Sequence, residues 1–96
     1  MSKNKNHITP VHPGEVLQDE LDELEITQSA LAEHVGVLPK TINEICRGKR
    51  GISAEMAMKL SQALGASPQF WLNLQNSWEL SQVDPSQVED IDTLVA

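Results

Sequence analysis

A chain of 96 residues, 40% of them hydrophobic, can build one domain with a small core and lacks the material for two. It has no apolar run of membrane-spanning length and no apolar signal-peptide segment, and its one cysteine, Cys46, cannot form an internal disulfide, so a cytoplasmic protein without a membrane partner is expected. The formal net charge is −7, yet Lys40, Arg47, Lys49 and Arg50 face only Glu44 between residues 39 and 50, a local net of +3 that marks a basic island on an acidic body.

Strand-formers alternate nowhere over a useful length, and Gly and Pro fall between periodic segments, which makes the chain all-α. The first helix begins at Pro13, where the missing N–H is not needed, and Glu15 suits the positive end of its dipole. Leu17, Leu21 and Leu24 form its buried stripe, with Asp19, Glu20, Asp22, Glu23 and Glu25 mostly off it. A second helix follows the N-cap Thr27, flanked by an Ile26–Leu31 staple. Leu31, Ala32 and Val35 face inward, and Gly36 ends it. The third runs from Pro39 to Arg47 with Ile42 and Ile45 inward, and Gly48 stops it. The fourth starts after Ser53, buries Ala57, Leu60 and Leu64, and ends at Gly65. The fifth starts after Ser67 with Pro68 first and carries Phe70, Trp71, Leu72, Leu74 and Trp78. Asp84-Pro85 opens a short sixth helix with Val88, Ile91 and Val95 on one side. The organisation is therefore an N-terminal arm over 1–12, a domain over 13–82 and an acidic tail over 83–96.

The segment QSALAEHVGVLPKTINEICRGKRG, residues 28–51, has a specific spacing. With Gln28 counted first, Leu31, Ala32 and Val35 stand fourth, fifth and eighth, Gly36 ninth, Ile42 fifteenth and Ile45 eighteenth. Two short helices crossing at a steep angle need these types: a small residue at the crossing, a glycine in the turn, apolar residues toward the core. An ordinary helical hairpin shares the corner but not the basic island. The pattern predicts a helix-turn-helix with Lys40 and Thr41 in the first turn of the recognition helix and Asn43 and Glu44 in the second. Arg47, Lys49 and Arg50 suit phosphates, as do Gln28 and Ser29 at the start of the second helix.

Four blocks, PVHPGEVL at 10–17, ITQSALAEHVGV at 26–37, RGKRGIS at 47–53 and GASPQFWLNLQ at 65–75, make the chain resemble the HigA/VapI-type antitoxins of the lambda-repressor-like (XRE/Cro-CI) helix-turn-helix class. The resemblance implies a five-helix fold, a homodimer, repression of the protein's own toxin–antitoxin operon and no enzymatic activity. It also implies a toxin partner similar to the RelE-like mRNA endonucleases, expected to be a basic protein. Family DNA contacts fall here on Gln28, Pro39, Lys40, Thr41, Asn43, Glu44 and Arg47. Double-stranded DNA with an inverted-repeat operator is the expected target. Leu38-Pro39 stands where many members carry Ser or Thr, so the recognition helix lacks a side-chain cap. Glu44 can accept from cytosine N4 or pair with Lys40 four residues earlier. A stand-alone phage-repressor-type regulator is the alternative reading. A pure protein-interaction bundle would leave the basic island unexplained.

The remaining reactive side chains carry blander expectations. His7, His12 and His34 match no metal-ligand spacing and read as two loop histidines and one surface histidine; no metal or cofactor is expected. Cys46 beside Arg47 reads as a small helix residue rather than a redox sensor, and the acids of the first helix as a solvated face. Trp71, Leu74 and Trp78 at i, i+3, i+7 suit a core, but Phe70, Leu72 and Leu80 widen the apolar arc of the fifth helix beyond the need of a small one, and a dimer seam with Phe70, Trp71, Leu74 and Trp78 is expected there.

Overall fold

The structure, a computed structural model, describes residues 10–95; His7 and most of the expected arm lie outside them. Five helices follow in order: α1 (Pro13–Leu24), α2 (Gln28–Val35), α3 (Pro39–Cys46), α4 (Ala54–Leu64) and α5 (Pro68–Ser81). Their starts follow local chemistry. The hydroxyls of Thr27, Ser53 and Ser67 accept from the N–H groups of Ala30, Met56 and Phe70 at 3.0, 3.1 and 3.1 Å, which satisfies donors that a helix leaves open at its first turn. Helix α3 has no side-chain cap, and Pro39 presets its first turn instead.

Packing follows the apolar stripes. Helix α1 lies on α3 and α5, α2 on α3 and α4, and α4 on α5. Leu17, Leu21, Leu31, Ala32, Ile42, Ile45, Ala57, Leu60 and Trp71 are buried together in one core. The Ala32 side chain is fully enclosed where α2 meets its neighbours, so a larger residue has no space there.

Four expectations are corrected. Leu24 is 48% exposed, because the chain reverses at Glu25, in the left-handed region at φ 58°, before α2 can cover the last turn of α1. The sixth helix is a single 3-10 turn at Pro85–Gln87; Val88, Ile91 and Val95 are exposed and form no packed face. Trp71, expected in the dimer seam, is fully enclosed by its own chain, so it is core and offers no surface to a partner. His12, expected in a loop, is buried at the N-cap of α1, where its Nδ1 accepts from the Gly14 N–H at 2.9 Å. Its ring meets Trp78 edge-on, with centroids 4.8 Å apart.

Candidate nucleic-acid interface

Helices α2 and α3 meet across the turn at Gly36, whose φ of 78° is a conformation that favours glycine. Ile42 and Ile45 anchor α3 inward, which leaves its other side free. Pro39 and Lys40 are exposed at the start of that side, and Thr41, Asn43 and Glu44 are half-buried along it. Arg47 caps the C-terminal end of α3 rather than lying inside it, and Arg47, Lys49 and Arg50 are all exposed. Ser29 is exposed at the first turn of α2, where backbone N–H groups lack intrahelical acceptors. The structure thus brings Lys40, Glu44 and Arg50 together and sets Asn43 against Gln28, while Ser29, Pro39, Arg47 and Lys49 stand exposed.

A polar chain fixes part of this surface. The Asn43 amide donates to Gln28 Oε1 at 3.1 Å, the Gln28 amide donates to Gln18 Oε1, and the Gln18 amide donates to Asp22 Oδ1 at 2.8 Å. Gln28 is therefore half-buried and orients Asn43 as well as standing at the start of α2. Gln18 was not legible as a site residue, since it lies ten residues from Gln28 on another helix.

Glu44 pairs with Lys40, as one reading of the sequence expects, but its tighter partner is Arg50. Arg50 donates to its Oε1 through Nε at 3.0 Å and Nη2 at 2.8 Å, whereas Lys40 Nζ stands 4.0 Å from Oε2. The Arg50 hydrogen bonds hold the Glu44 carboxyl below its ordinary range, with the charges of Arg50, Lys40 and Lys49 acting in the same direction. The spacing is i, i+6 across the end of a helix, a separation that helix-face rules do not cover.

The loop behind α3 is held from α5. Gln75, buried and absent from the sequence-based site, accepts the Ile52 N–H on Oε1 at 2.7 Å. That bond fixes the segment just after Lys49 and Arg50. Cys46 is half-buried against α1, and burial, with Asp22 adding, pushes its thiol up to about 11, so it is protonated at neutral pH. Among the described residues no group of His, Cys, Asp or Glu is arranged to hold a metal, and no helix is long and apolar enough to cross a membrane.

A short helix, a glycine turn and a second helix with an open outer side and cations behind it define a helix-turn-helix protein. The family described as Helix-turn-helix matches residues 17–71. Virulence-associated protein I of Dichelobacter nodosus is 40% identical over 81 residues, 83% of this chain and 75% of that protein. Antitoxin HigA-1 of Vibrio cholerae is 42% identical over 81 residues, 83% of this chain and 74% of that protein. The structure of Pseudomonas aeruginosa antitoxin HigA with the higBA promoter superposes with a TM-score of 0.83 at 43% identity, covering 90% of this chain and 99% of that one. The chain belongs to the helix-turn-helix family of the HigA and VapI antitoxins.

Proposed function

We propose that the protein is a dimeric, sequence-specific DNA-binding repressor that acts in the cytoplasm as the antitoxin of a toxin–antitoxin pair. Its role is binding rather than catalysis. The observation that carries this reading is the open side of α3, where Lys40, Arg47 and Lys49 stand exposed beside the half-buried Thr41 and Asn43, on a chain of net charge −7. The acidic remainder repels phosphates, so only this side can dock. The likeness to an antitoxin solved with promoter DNA supports the same reading.

Two copies make so small an island sufficient. A rigid pair of modules makes the second contact intramolecular, which raises avidity by about 10²–10⁴. We assign the seam to α5, where Phe70 is 41% exposed and Leu74 and Trp78 are half-buried. Operator half-sites should then lie about one helical turn, ~34 Å, apart. Footprinting on the DNA flanking the gene tests this, and a single unpaired half-site would count against a two-fold repressor.

The toxin is a basic, RelE-like mRNA endonuclease encoded beside this chain, drawn by complementary charge. Titration of the adjacent gene product against this protein, with mRNA cleavage as the readout, tests neutralisation. Undiminished cleavage at excess antitoxin would leave a regulator without a toxin.

A further inference from the structure

The Glu44 carboxylate sits at the centre of the cationic surface, where a phosphate-binding face has least use for a negative charge. Its side chain is 28% exposed, against 51% for Arg50 and 78% for Lys40, so the acid is set deeper than the cations around it. The backbone builds this placement. The Lys49 N–H donates to the Glu44 carbonyl at 2.8 Å and the Gly48 N–H to that of Ile45 at 3.0 Å, which turns the chain back along α3. Arg50 then meets Glu44 with two of its N–H groups on one oxygen. Arg47 and Lys49 enter no ion pair among the described residues. The island thus holds two kinds of cation, two free and two turned toward one acid.

We infer that Glu44 is a specificity-determining residue, which holds Arg50, with Lys40 beside it, off the phosphates of unmatched DNA. The inference rests on the DNA-binding reading above. Most base-edge groups in the major groove are acceptors: purine N7, guanine O6 and thymine O4. A carboxylate brought against them is repelled and keeps its hold on Arg50. Only the amino groups of cytosine and adenine offer it a donor. On a matched site such a group takes over the carboxylate oxygen, and Arg50 is released to a phosphate. Reading a base and adding a phosphate contact become one event. Unmatched DNA meets two free cations and a negative charge.

The test needs no known operator. Binding to a random-sequence duplex is followed by fluorescence anisotropy across a salt series. Glu44→Gln keeps the length of the side chain and one acceptor oxygen but removes its charge. It should bind this duplex roughly tenfold tighter at about 0.1 M salt, with a log–log salt slope steeper by about one, the signature of one more cation at a phosphate. In an Arg50→Gln background the same change should gain distinctly less. An equal gain in both backgrounds, or no gain, overturns the inference. Should Glu44→Gln fail to fold, Arg50→Gln set beside Lys49→Gln decides: Arg50→Gln should lose less slope, and equal losses overturn the inference. A parent protein that binds no duplex even at low salt instead sinks the DNA-binding reading, and this inference with it.

Discussion

Gly14→Ala should be among the most damaging single-methyl changes in this protein. In a helix the substitution ordinarily stabilises by about 1 kcal/mol, because alanine loses less backbone entropy. Here the sign reverses. A Cβ on Gly14 would stand 1.7 Å from the Ile45 carbonyl oxygen, 2.6 Å from its carbonyl carbon and 3.0 Å from Cys46 Cα. All three atoms are backbone of α3, so no side chain can rotate away. Restoring ordinary contact requires α1 and α3 to part by roughly 1.5 Å in a core packed at crystal-like density. Overpacking commonly costs about 1–3 kcal/mol, and a backbone-to-backbone clash belongs at the top of that range or above it. For a domain of this size ~3 kcal/mol lowers the melting temperature by about 12–24 °C. Gly36→Ala is the control: its Cβ meets nothing within 4 Å, and only the left-handed φ of 78° opposes it, about 1–2 kcal/mol. Thermal and urea melts of both variants measure the difference. Because α3 must move, folded Gly14→Ala should also lose DNA affinity. A Gly14→Ala melt within ~4 °C of the parent, about 1 kcal/mol, would refute the close approach.

Burial lowers the His12 pKa from its ordinary 6.5, with Glu15 opposing. The unfolded chain therefore takes up the proton first as pH falls, so stability is full above 6.5 and declines as pH drops from there toward the lowered folded value. His12→Asn, which keeps an N-cap acceptor but cannot titrate, should remove that slope in thermal melts; Glu44 and Asp84, whose carboxyls are held low, lose their contributions only below their ordinary 4.5 and 3.8. Gln75→Leu leaves the buried Ile52 N–H unpaired and should cost about 1–3 kcal/mol in denaturant melts, with weaker DNA binding as the loop loosens. Lys40→Ala should weaken operator binding and relax sequence preference, whereas Lys49→Ala should weaken all sequences alike and reduce the salt slope by about one; an unchanged slope would remove Lys49 from the phosphate contacts. Trp78→Ala should yield a folded monomer in sedimentation if it anchors the dimer, whereas a folded dimer with normal DNA binding would refute that seam.

The features legible in the sequence are those that local chemistry decides. Thr27, Ser53 and Ser67 cap within three residues of themselves, and Gly36 and Gly65 end helices by their own backbone conformation, so each could be read from its neighbours. The side of α3 that faces outward was legible because Ile42 and Ile45 fix the side that faces in. What could not be read depends on contacts between distant segments. Periodicity groups Trp71 with Trp78, but only the packed fold encloses the first and leaves the second beside His12. The bond from Gln75 to Ile52 spans 23 residues, and no local pattern marks it. The block PVHPGEVL was recognisable as a motif, while its physical reason appears only in three dimensions: His12 caps α1, Pro13 starts it, and Gly14 admits the end of α3.

These long-range contacts converge on α5. Gln75 holds the loop that follows Arg50, and Trp78 lies against His12, the cap of α1. A Cβ on Gly48, in the turn that ends α3, would stand 3.8 Å from the same His12 ring. Helix α5 thus supports the neighbouring segments at two points, one through the Ile52 N–H donating to the Gln75 side chain and one through an edge-on aromatic contact with His12. Of the two α5 residues, Gln75 is buried and Trp78 is half-buried. A chain that displaced Trp78 would release His12, and with it the start of α1 and the support behind α3. Trp78→Ala should therefore loosen the start of α1 as well as test the seam, which denaturant melts read beside sedimentation.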